Sequence, residues 1–256
     1  MNKTIAISNH KGGVGKTTTA LNVGCYLAKE GYQVLLLDLD FQSNLTRNLM
    51  ADSIVGKTLV DAFSAGIPIP VYQTAFKNLS ISPSTEQMSS IDGFLSNKMV
   101  DREYTLFDIL APVRDQYDFI LLDCPPALNN ITVNALVAAT DAIIPTTLDN
   151  YSFQGVQRIS ETIAAIQRRM NKNLEVLGVL ISRPEKTVLD RKLQEILQSS
   201  NLSKKIFNTK IRKSVKQREA AALQDVVCNY APESTVAIDY QELTKEILKI
   251  YEQQKS

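Results

Sequence analysis

The sequence predicts an α/β fold in which a doubly wound, mostly parallel sheet is flanked by helices. Short apolar runs alternate with longer amphipathic stretches from one end of the chain to the other. Several runs, including Phe119–Asp123, are rich in consecutive Ile and Leu residues, which is typical of parallel strands covered on both faces. No repeat or Pro/Gly/Ser-rich linker divides the 256 residues. We therefore expect one domain that spans residues 1–256.

Strands and helices are expected to alternate, so that right-handed crossovers connect the parallel strands. The apolar runs predict strands at 4–8, 34–40, Leu79–Ser82, Phe119–Asp123, 142–146, 176–182 and 205–211. The amphipathic stretches predict helices at 16–30, 87–100, Thr105–Arg114, 131–139, 152–170, 189–198, 215–225 and Thr235–Gln253. Ser234 is a suitable N-cap for the last helix. Residues 51–70, with Gly66, Pro68 and Pro70, are expected to form an irregular excursion.

The most informative segment is residues 10–18, HKGGVGKTT, between the first predicted strand and the first predicted helix. Glycines allow backbone N–H groups to curl around an anion, and a helix N-terminus adds partial positive charge. At this spacing Lys16 would contact the β- and γ-phosphates of ATP, and the Thr17 hydroxyl would ligate Mg²⁺. The alternative is a Gly-rich turn before an ordinary helix. The predicted nucleotide-binding residues are Lys11, Gly12, Gly13, Val14, Gly15, Lys16, Thr17 and Thr18.

The loop departs from the ordinary G-x-x-x-x-G-K-[ST] pattern, because His10 stands where the first glycine is expected and a second lysine, Lys11, follows. This deviant pattern, K-G-G-x-G-K-T-T, resembles that of ParA-type partition ATPases, in the group that includes MinD-like and nitrogenase-iron-protein-like ATPases. The resemblance extends over roughly residues 3–250 and implies a P-loop NTPase of the deviant Walker A type. It also implies an ATP-dependent homodimer in which Lys11 contacts phosphate on the partner's ATP. A solvated loop lysine is the alternative for Lys11.

The predicted strand at 34–40 ends in two aspartates, Asp38 and Asp40. Their i, i+2 spacing directs both side chains the same way, at the strand end where open α/β sheets bind ligands. The segment resembles the family's D-x-D-P-Q-x-N-L-T sequence, with Phe41 in place of proline. By that resemblance Asp40 positions the attacking water and Asp38 supports the Mg²⁺ shell. The alternative is a pair of polar residues that end a strand.

Phe119–Asp123 has the form of a Walker B strand, which would deliver Asp123 beside the phosphate loop, where it can hold Mg²⁺ through water. Cys124 follows and is interpreted as a small packing residue. Hydrolysis of ATP to ADP and phosphate needs positioning and charge neutralisation rather than a covalent catalyst. The predicted metal-binding residues are Thr17, Asp38 and Asp123, and the predicted catalytic residues are Lys11, Lys16 and Asp40.

The charge is unevenly distributed along the chain. The whole sequence has 28 Lys and Arg residues against 27 Asp and Glu residues, whereas residues 186–218 contain ten basic and two acidic residues. Such segregation is typical of a polyanion-binding face, although a solvated lysine-rich face is the alternative. Phe207 is the only aromatic residue in this segment, so we expect backbone contacts without sequence readout. The resemblance implies non-specific DNA binding, with Lys186, Lys213 and Lys216 in positions where relatives carry arginines of that role.

Together these features predict a cytoplasmic, nucleoid-associated partition ATPase. Its ATP-bound dimer would bind DNA and be released when a ParB-like partner stimulates hydrolysis, which would segregate or position plasmid or chromosomal DNA. A MinD-like membrane-cycling ATPase or a protein-cargo-positioning ATPase is the alternative. Residues 219–256 carry seven acids and three lysines, which disfavours a basic membrane-binding helix, and we expect no membrane partner. Scattered Cys25, Cys124 and Cys228 disfavour an iron–sulfur ATPase. A purely structural nucleotide-binding module is a further alternative.

Overall fold

A seven-stranded sheet forms the centre of the computed structural model, which describes residues 2–50, 56–149, 152–185, 187–199 and 202–254. The spatial order of the strands is β3-β4-β2-β5-β1-β6-β7. Only β3 runs antiparallel to its neighbour in this part of the chain. The strands are β1 (Lys3–Ile7), β2 (Val34–Asp38), β3 (Tyr72–Gln73), β4 (Leu79–Ser82), β5 (Phe119–Asp123), β6 (Asp141–Thr147) and β7 (Glu175–Ser182).

Helices cover both faces of the sheet, because the central strands are apolar on both sides. On β2, Leu35 and Leu37 belong to one buried cluster and Leu36 to the other, as the alternation of side chains along a strand requires. This arrangement confirms the predicted α/β class. The helices are α1 (Lys16–Lys29), α2 (Asn44–Met50), α3 (Leu59–Ala65), α4 (Ile91–Asn97), α5 (Thr105–Arg114), α6 (Asn130–Ala138), α7 (Ser152–Arg169), α8 (Val188–Gln198), α9 (Val215–Ala222), α10 (Val227–Tyr230) and α11 (Thr235–Gln253).

The register of the three central strands decides what meets at their carboxyl ends. Ile7 of β1 and Asp38 of β2 are both Cα partners of Asp123 on β5, which lies between them. The segment that follows β1 and the aspartates that end β2 and β5 therefore lie side by side. In open α/β sheets this edge is where ligands bind.

The predicted strand at 205–211 was wrong as a continuous strand. Only two isolated parallel bridges join this segment to β7, Val179 to Ile206 and Ser182 to Ile211. Between the bridges, the backbone N–H groups of Asn208 and Thr209 donate to the Glu246 carboxylate of α11 instead, at 2.7 and 3.0 Å. The acidic side chain removes those donors from a β-ladder, so the extended segment pairs only at its two ends.

The interpretation of residues 51–70 as an irregular excursion was also wrong, because α3 lies within it. Thr58 and Asp61 form a capping box at the start of α3, and Gly66 ends it in the left-handed conformation, with φ of 64°. Capping residues of these types stabilise even a short helix at both ends. Residues 51–55 lie outside the described part of the chain. The short elements α2, α10 and β3 were likewise not predicted, and the predicted helix at 87–100 is a 3₁₀ turn at Glu86–Ser90 followed by α4.

Within the described ranges, none of the helices combines the length and the apolar character that a membrane span requires.

Candidate functional site

The loop between β1 and α1 presents a free helix N-terminus. Gly15 precedes α1 as its N-cap, and no side chain caps the helix there. Gly13 and Gly15 have φ of 75° and 96°, a conformation that favours glycine. A Cβ on Gly12 or Gly13 would meet no atom within 4 Å, so the space over the loop is open. Unpaired N–H groups at an uncapped helix N-terminus provide an anion-binding site.

Lys16 is buried at the start of α1, and its Nζ donates to the backbone oxygen of Lys11 at 3.0 Å. Burial lowers the pKa of this lysine, while the charge of Asp123 acts in the opposite direction. The ammonium group therefore lies against the loop backbone, near the carboxylate of Asp123, and is largely shielded from solvent. An ammonium group in such surroundings interacts strongly with a bound anion.

Lys11 is held within its own subunit. Its Nζ donates to the hydroxyl of Thr147, the last residue of β6, at 3.3 Å. The same Nζ contacts the carboxylate of Asp149, two residues beyond the end of that strand. The backbone N–H of Lys11 donates to Asn9 Oδ1 at 3.1 Å, and Asn9 Nδ2 donates to the carbonyl of Pro145 at 2.8 Å. These bonds attach the loop to β6.

Asp123 is a buried carboxylate whose oxygens receive no well-formed hydrogen bond in the described part of the protein, although the Thr17 hydroxyl lies close by. Burial, and secondarily the charge of Asp38, raises its pKa well above the ordinary value, while the Thr17 hydroxyl and the Lys16 ammonium lower it. An unpaired buried carboxylate is costly unless a cation or a donor completes it. Carboxylate, hydroxyl and water oxygens are the ligands that Mg²⁺ prefers. Asp123 and Thr17 therefore fit a magnesium ion beside the phosphate loop.

Asp38 and Asp40 differ in their surroundings. Asp38 is fully buried, and both of its oxygens accept hydrogen bonds, from Thr46 on α2 and from the backbone N–H of Asp40. Burial raises the pKa of Asp38 to about 6 against the effect of these hydrogen bonds. Asp40 lies at the cavity wall, and its Oδ1 accepts from Gln42 N at 3.1 Å. The structure thus brings Asp40 to open space and engages Asp38 within the protein.

The phosphate loop and Asp40 share a cavity of about 530 Å³. An adjoining cavity of about 190 Å³ continues past Arg183, a residue with φ of 55°. Sequence reasoning did not select most of the walls, because α9 and α11 carry no residue pattern typical of a nucleotide site and the motif that reaches α2 was interpreted only for its two aspartates. The larger cavity is lined by Gly12, Gly13, Gly15, Lys16, Thr17, Thr18, Asp40, Asn44, Arg47, Asn48, Pro126, Arg183, Ala221, Ala222 and Gln224. The smaller is lined by Gly15, Thr18, Ser182, Arg183, Ile211, Arg212, Lys213, Ser214, Gln217, Arg218, Val236 and Tyr240.

The basic segment 186–218 does not form one patch. Lys205 pairs with Glu175 at the beginning of β7, whereas Lys213 lies within 3.6 Å of Glu185, just beyond its end. Eight strand residues span about 25 Å, so the two groups of lysines lie at opposite ends of β7. Lys213 and Lys216 are exposed at the cavity end, and Lys186 lies outside the described residues.

The unpaired carboxylate gives a testable consequence for stability. In metal-free and nucleotide-free protein at pH 7.5, Asp123→Asn should raise the thermal midpoint, because it removes a carboxyl group whose ionisation is disfavoured by burial. The pKa of Asp123 is raised by folding, so ionisation destabilises the folded state only above the unfolded pKa. The advantage should therefore shrink as the pH falls towards about 4. Differential scanning fluorimetry across this range measures it.

The matched control is Asp141→Asn on β6. Asp141 is also buried, but it accepts from Thr140 Oγ1 at 2.7 Å and lies 3.6 Å from Lys3 Nζ. Its substitution should lower the midpoint at pH 7.5. An Asp123→Asn protein no more stable than the wild type at that pH would show that the carboxylate is satisfied in solution.

Several known proteins are similar to this chain in sequence and in fold. A family model described as an AAA domain matches residues 2–176. The sporulation initiation inhibitor protein Soj of Bacillus subtilis is 35% identical over 96% of this chain and 98% of its own length. The chromosome-partitioning ATPase Soj of Treponema pallidum is 33% identical over 97% and 98%, respectively. A crystal structure of cobyrinic acid a,c-diamide synthase from Mycobacterium smegmatis, with bound ATP analogue and magnesium, matches with a TM-score of 0.84 and 26% identity, over 98% of this chain and 96% of that one. The chain therefore belongs to the AAA-domain family, among the ParA-type ATPases, as its phosphate loop predicted.

Proposed function

We propose that this ATPase partitions DNA: its ATP-bound homodimer binds DNA without sequence preference, and a ParB-like partner releases it by stimulating hydrolysis. The observation that carries the enzymatic part is a cavity lined by an uncapped helix N-terminus, by Lys16 and by Asp40, with the buried carboxylate of Asp123 close to Lys16. The relative from Treponema pallidum is named as a chromosome-partitioning ATPase. The DNA to be segregated or positioned would be a plasmid or a chromosome, and the protein would be associated with the nucleoid through its DNA binding.

The residues of the cavity divide the work of hydrolysis. The N–H groups of residues 12–18 would surround the phosphates, and the Lys16 ammonium would exchange its bond to the Lys11 carbonyl for phosphate oxygens. Thr17 and Asp123 would hold Mg²⁺, with Asp38 behind them. When bound, this ion supplies charge neutralisation on the phosphates. Asp40 would orient the attacking water by accepting a hydrogen bond from it.

Lys11 is proposed to act across the dimer. In the single chain its ammonium group is bound to Asp149 and Thr147, where it attaches the loop to β6. Contact with the partner's ATP would require this ion pair to open. We therefore assign a different step to each lysine of the loop: Lys16 acts in nucleotide binding and Lys11 acts in dimerisation.

This division predicts different defects in two variants. Lys16→Ala should abolish nucleotide binding, because the phosphates lose their main point charge. Lys11→Ala should bind ATP with an affinity within about threefold of the wild type, a difference in binding free energy below about 1 kcal/mol. It should remain monomeric. Binding of a fluorescent ATP analogue and light scattering with and without Mg·ATP measure the two properties.

Lys29→Ala is the control, since Lys29 lies in the last turn of the same helix, about 20 Å from the loop. It should bind nucleotide and dimerise as the wild type does. A Lys11→Ala protein that still dimerises on ATP would overturn the cross-subunit role.

DNA binding is proposed for the exposed lysines at the cavity end of β7. Lys213 forms a loose pair with Glu185, and Lys216 pairs with Glu219 at 2.8 Å on the surface. Exposed pairs of this kind contribute little free energy, so phosphates can replace the carboxylates. A dimer doubles the number of such lysines. Lys186 is assigned to the same surface by the family resemblance.

The corresponding prediction concerns salt dependence. Each phosphate contact contributes about −0.9 to the slope of log affinity against log salt. If Lys213 and Lys216 both touch phosphate, replacing them with alanine removes about four contacts per dimer, so the slope should become shallower by about 3–4 units. The measurement is a salt titration of duplex DNA binding in the ATP state, with two unrelated DNA sequences.

Replacing Lys204 and Lys205, at the opposite end of β7, provides a charge-matched control that should leave the slope nearly unchanged. An unchanged slope in the Lys213/Lys216 variant would place the DNA surface elsewhere. A wild-type protein without ATP-dependent DNA binding would favour a MinD-like membrane-cycling or protein-cargo-positioning ATPase.

A further inference from the structure

The side chain of Thr46 connects the two parts of the chain that form one wall of the cavity. Its hydroxyl donates to Asp38 Oδ2 at 2.7 Å, and its backbone N–H donates to the same oxygen at 2.8 Å. Both residues are almost completely buried. Two donors on one charged oxygen, away from water, form a strong attachment between the end of β2 and α2.

The same hydroxyl also accepts a hydrogen bond. Ser84 N, in the segment that follows β4, donates to Thr46 Oγ1 at 3.0 Å. A threonine hydroxyl has one donor and can accept as well, so Thr46 uses both capacities. The other oxygen of Asp38 accepts from the backbone N–H of Asp40 at 3.2 Å. One buried hydroxyl thus joins β2, α2 and the segment after β4 around the backbone that bears Asp40.

The loop between Asp40 and α2 depends on these attachments. Ser43 adopts φ of 51°, an unfavourable conformation for a residue other than glycine, and its N–H donates to the carbonyl of Asp40 at 3.0 Å. The helix that follows has only seven residues, too few to be stable by itself in water. Asn44 and Arg47 of this helix line the cavity. The position of the wall therefore depends on contacts made by α2 with its surroundings.

We propose that Thr46 is a positioning residue for ATP hydrolysis, whose hydroxyl holds Asp38 and α2 so that Asp40 keeps its place at the cavity wall. The inference rests on the proposed role of Asp40 in hydrolysis. In this proposal Asp38 accepts the hydrogen bonds of Thr46 in addition to its predicted role in supporting the Mg²⁺ shell. Thr46 itself touches neither nucleotide nor water in this account.

The test compares Thr46→Val, which keeps the shape and the backbone N–H but removes the hydroxyl, with Thr46→Ser, which restores it. We expect Thr46→Val to lower kcat about tenfold or more, because small displacements of a positioning group are costly. The affinity for the fluorescent ATP analogue should stay within about twofold, since the phosphate loop is unchanged. Thr46→Ser should recover most of kcat.

Thr244→Val is the matched control, because Thr244 is a buried threonine on α11 whose hydroxyl donates to the carbonyl of Tyr240 at 2.8 Å. It should lose thermal stability without losing kcat. Thr46→Ala is a second variant with the same expected kinetics. Whichever of Thr46→Val and Thr46→Ala has the wild-type circular dichroism spectrum serves for the comparison.

A folded Thr46 variant with wild-type kcat would overturn the inference, as would equal losses of kcat in Thr46→Val and Thr46→Ser. A loss of nucleotide affinity as large as the loss of kcat would also contradict it, because the defect would then lie in binding. Absence of hydrolysis in the wild type would instead refute the proposed function.

Discussion

The site depends on the register of three adjacent parallel strands. Because Ile7 and Asp38 both pair with Asp123, the loop after β1 and the carboxylates of β2 and β5 must meet at one edge of the sheet. A shift by one residue would direct Asp123 to the opposite face. The register is maintained by apolar side chains on both faces of the strands, which are fully buried in two clusters. The packing of the core thus determines where the phosphate loop and the two aspartates lie relative to one another.

This geometry leaves a buried carboxylate and an uncapped helix N-terminus, both of which are energetically unfavourable. Their charges indicate the kinds of ligand that the site would bind. The Asp123 carboxylate is buried, and the nearby Lys16 ammonium and Thr17 hydroxyl offset only part of the cost of its charge. The helix N-terminus of α1 presents the opposite situation, since no side chain supplies an acceptor as its cap. In the proposed function, a magnesium-bound nucleotide would supply the cation for Asp123 and the acceptors for the helix N-terminus.

The sequence was informative wherever local chemistry decides the structure. The apolar strands, the phosphate loop and the paired aspartates could be predicted because spacing and residue type determine them. The fate of residues 205–211 could not, because it depends on Glu246, which is distant in sequence and takes the N–H groups of Asn208 and Thr209. Equally, nothing near Lys11 in the sequence predicts its ion pair with Asp149. The division of the basic segment by β7 is likewise a matter of tertiary structure.

The central claim is that Asp40 positions water in a site that binds nucleotide through other residues. Phosphate release at saturating Mg·ATP, measured together with nucleotide affinity for the wild type and Asp40→Ala, tests it most directly. We expect an affinity that is unchanged within about twofold and a turnover reduced at least about tenfold, since only an interaction made during hydrolysis is lost. Undiminished turnover in Asp40→Ala would show that Asp40 does not position the water, and a loss of nucleotide affinity that matched the loss of turnover would place the defect in binding.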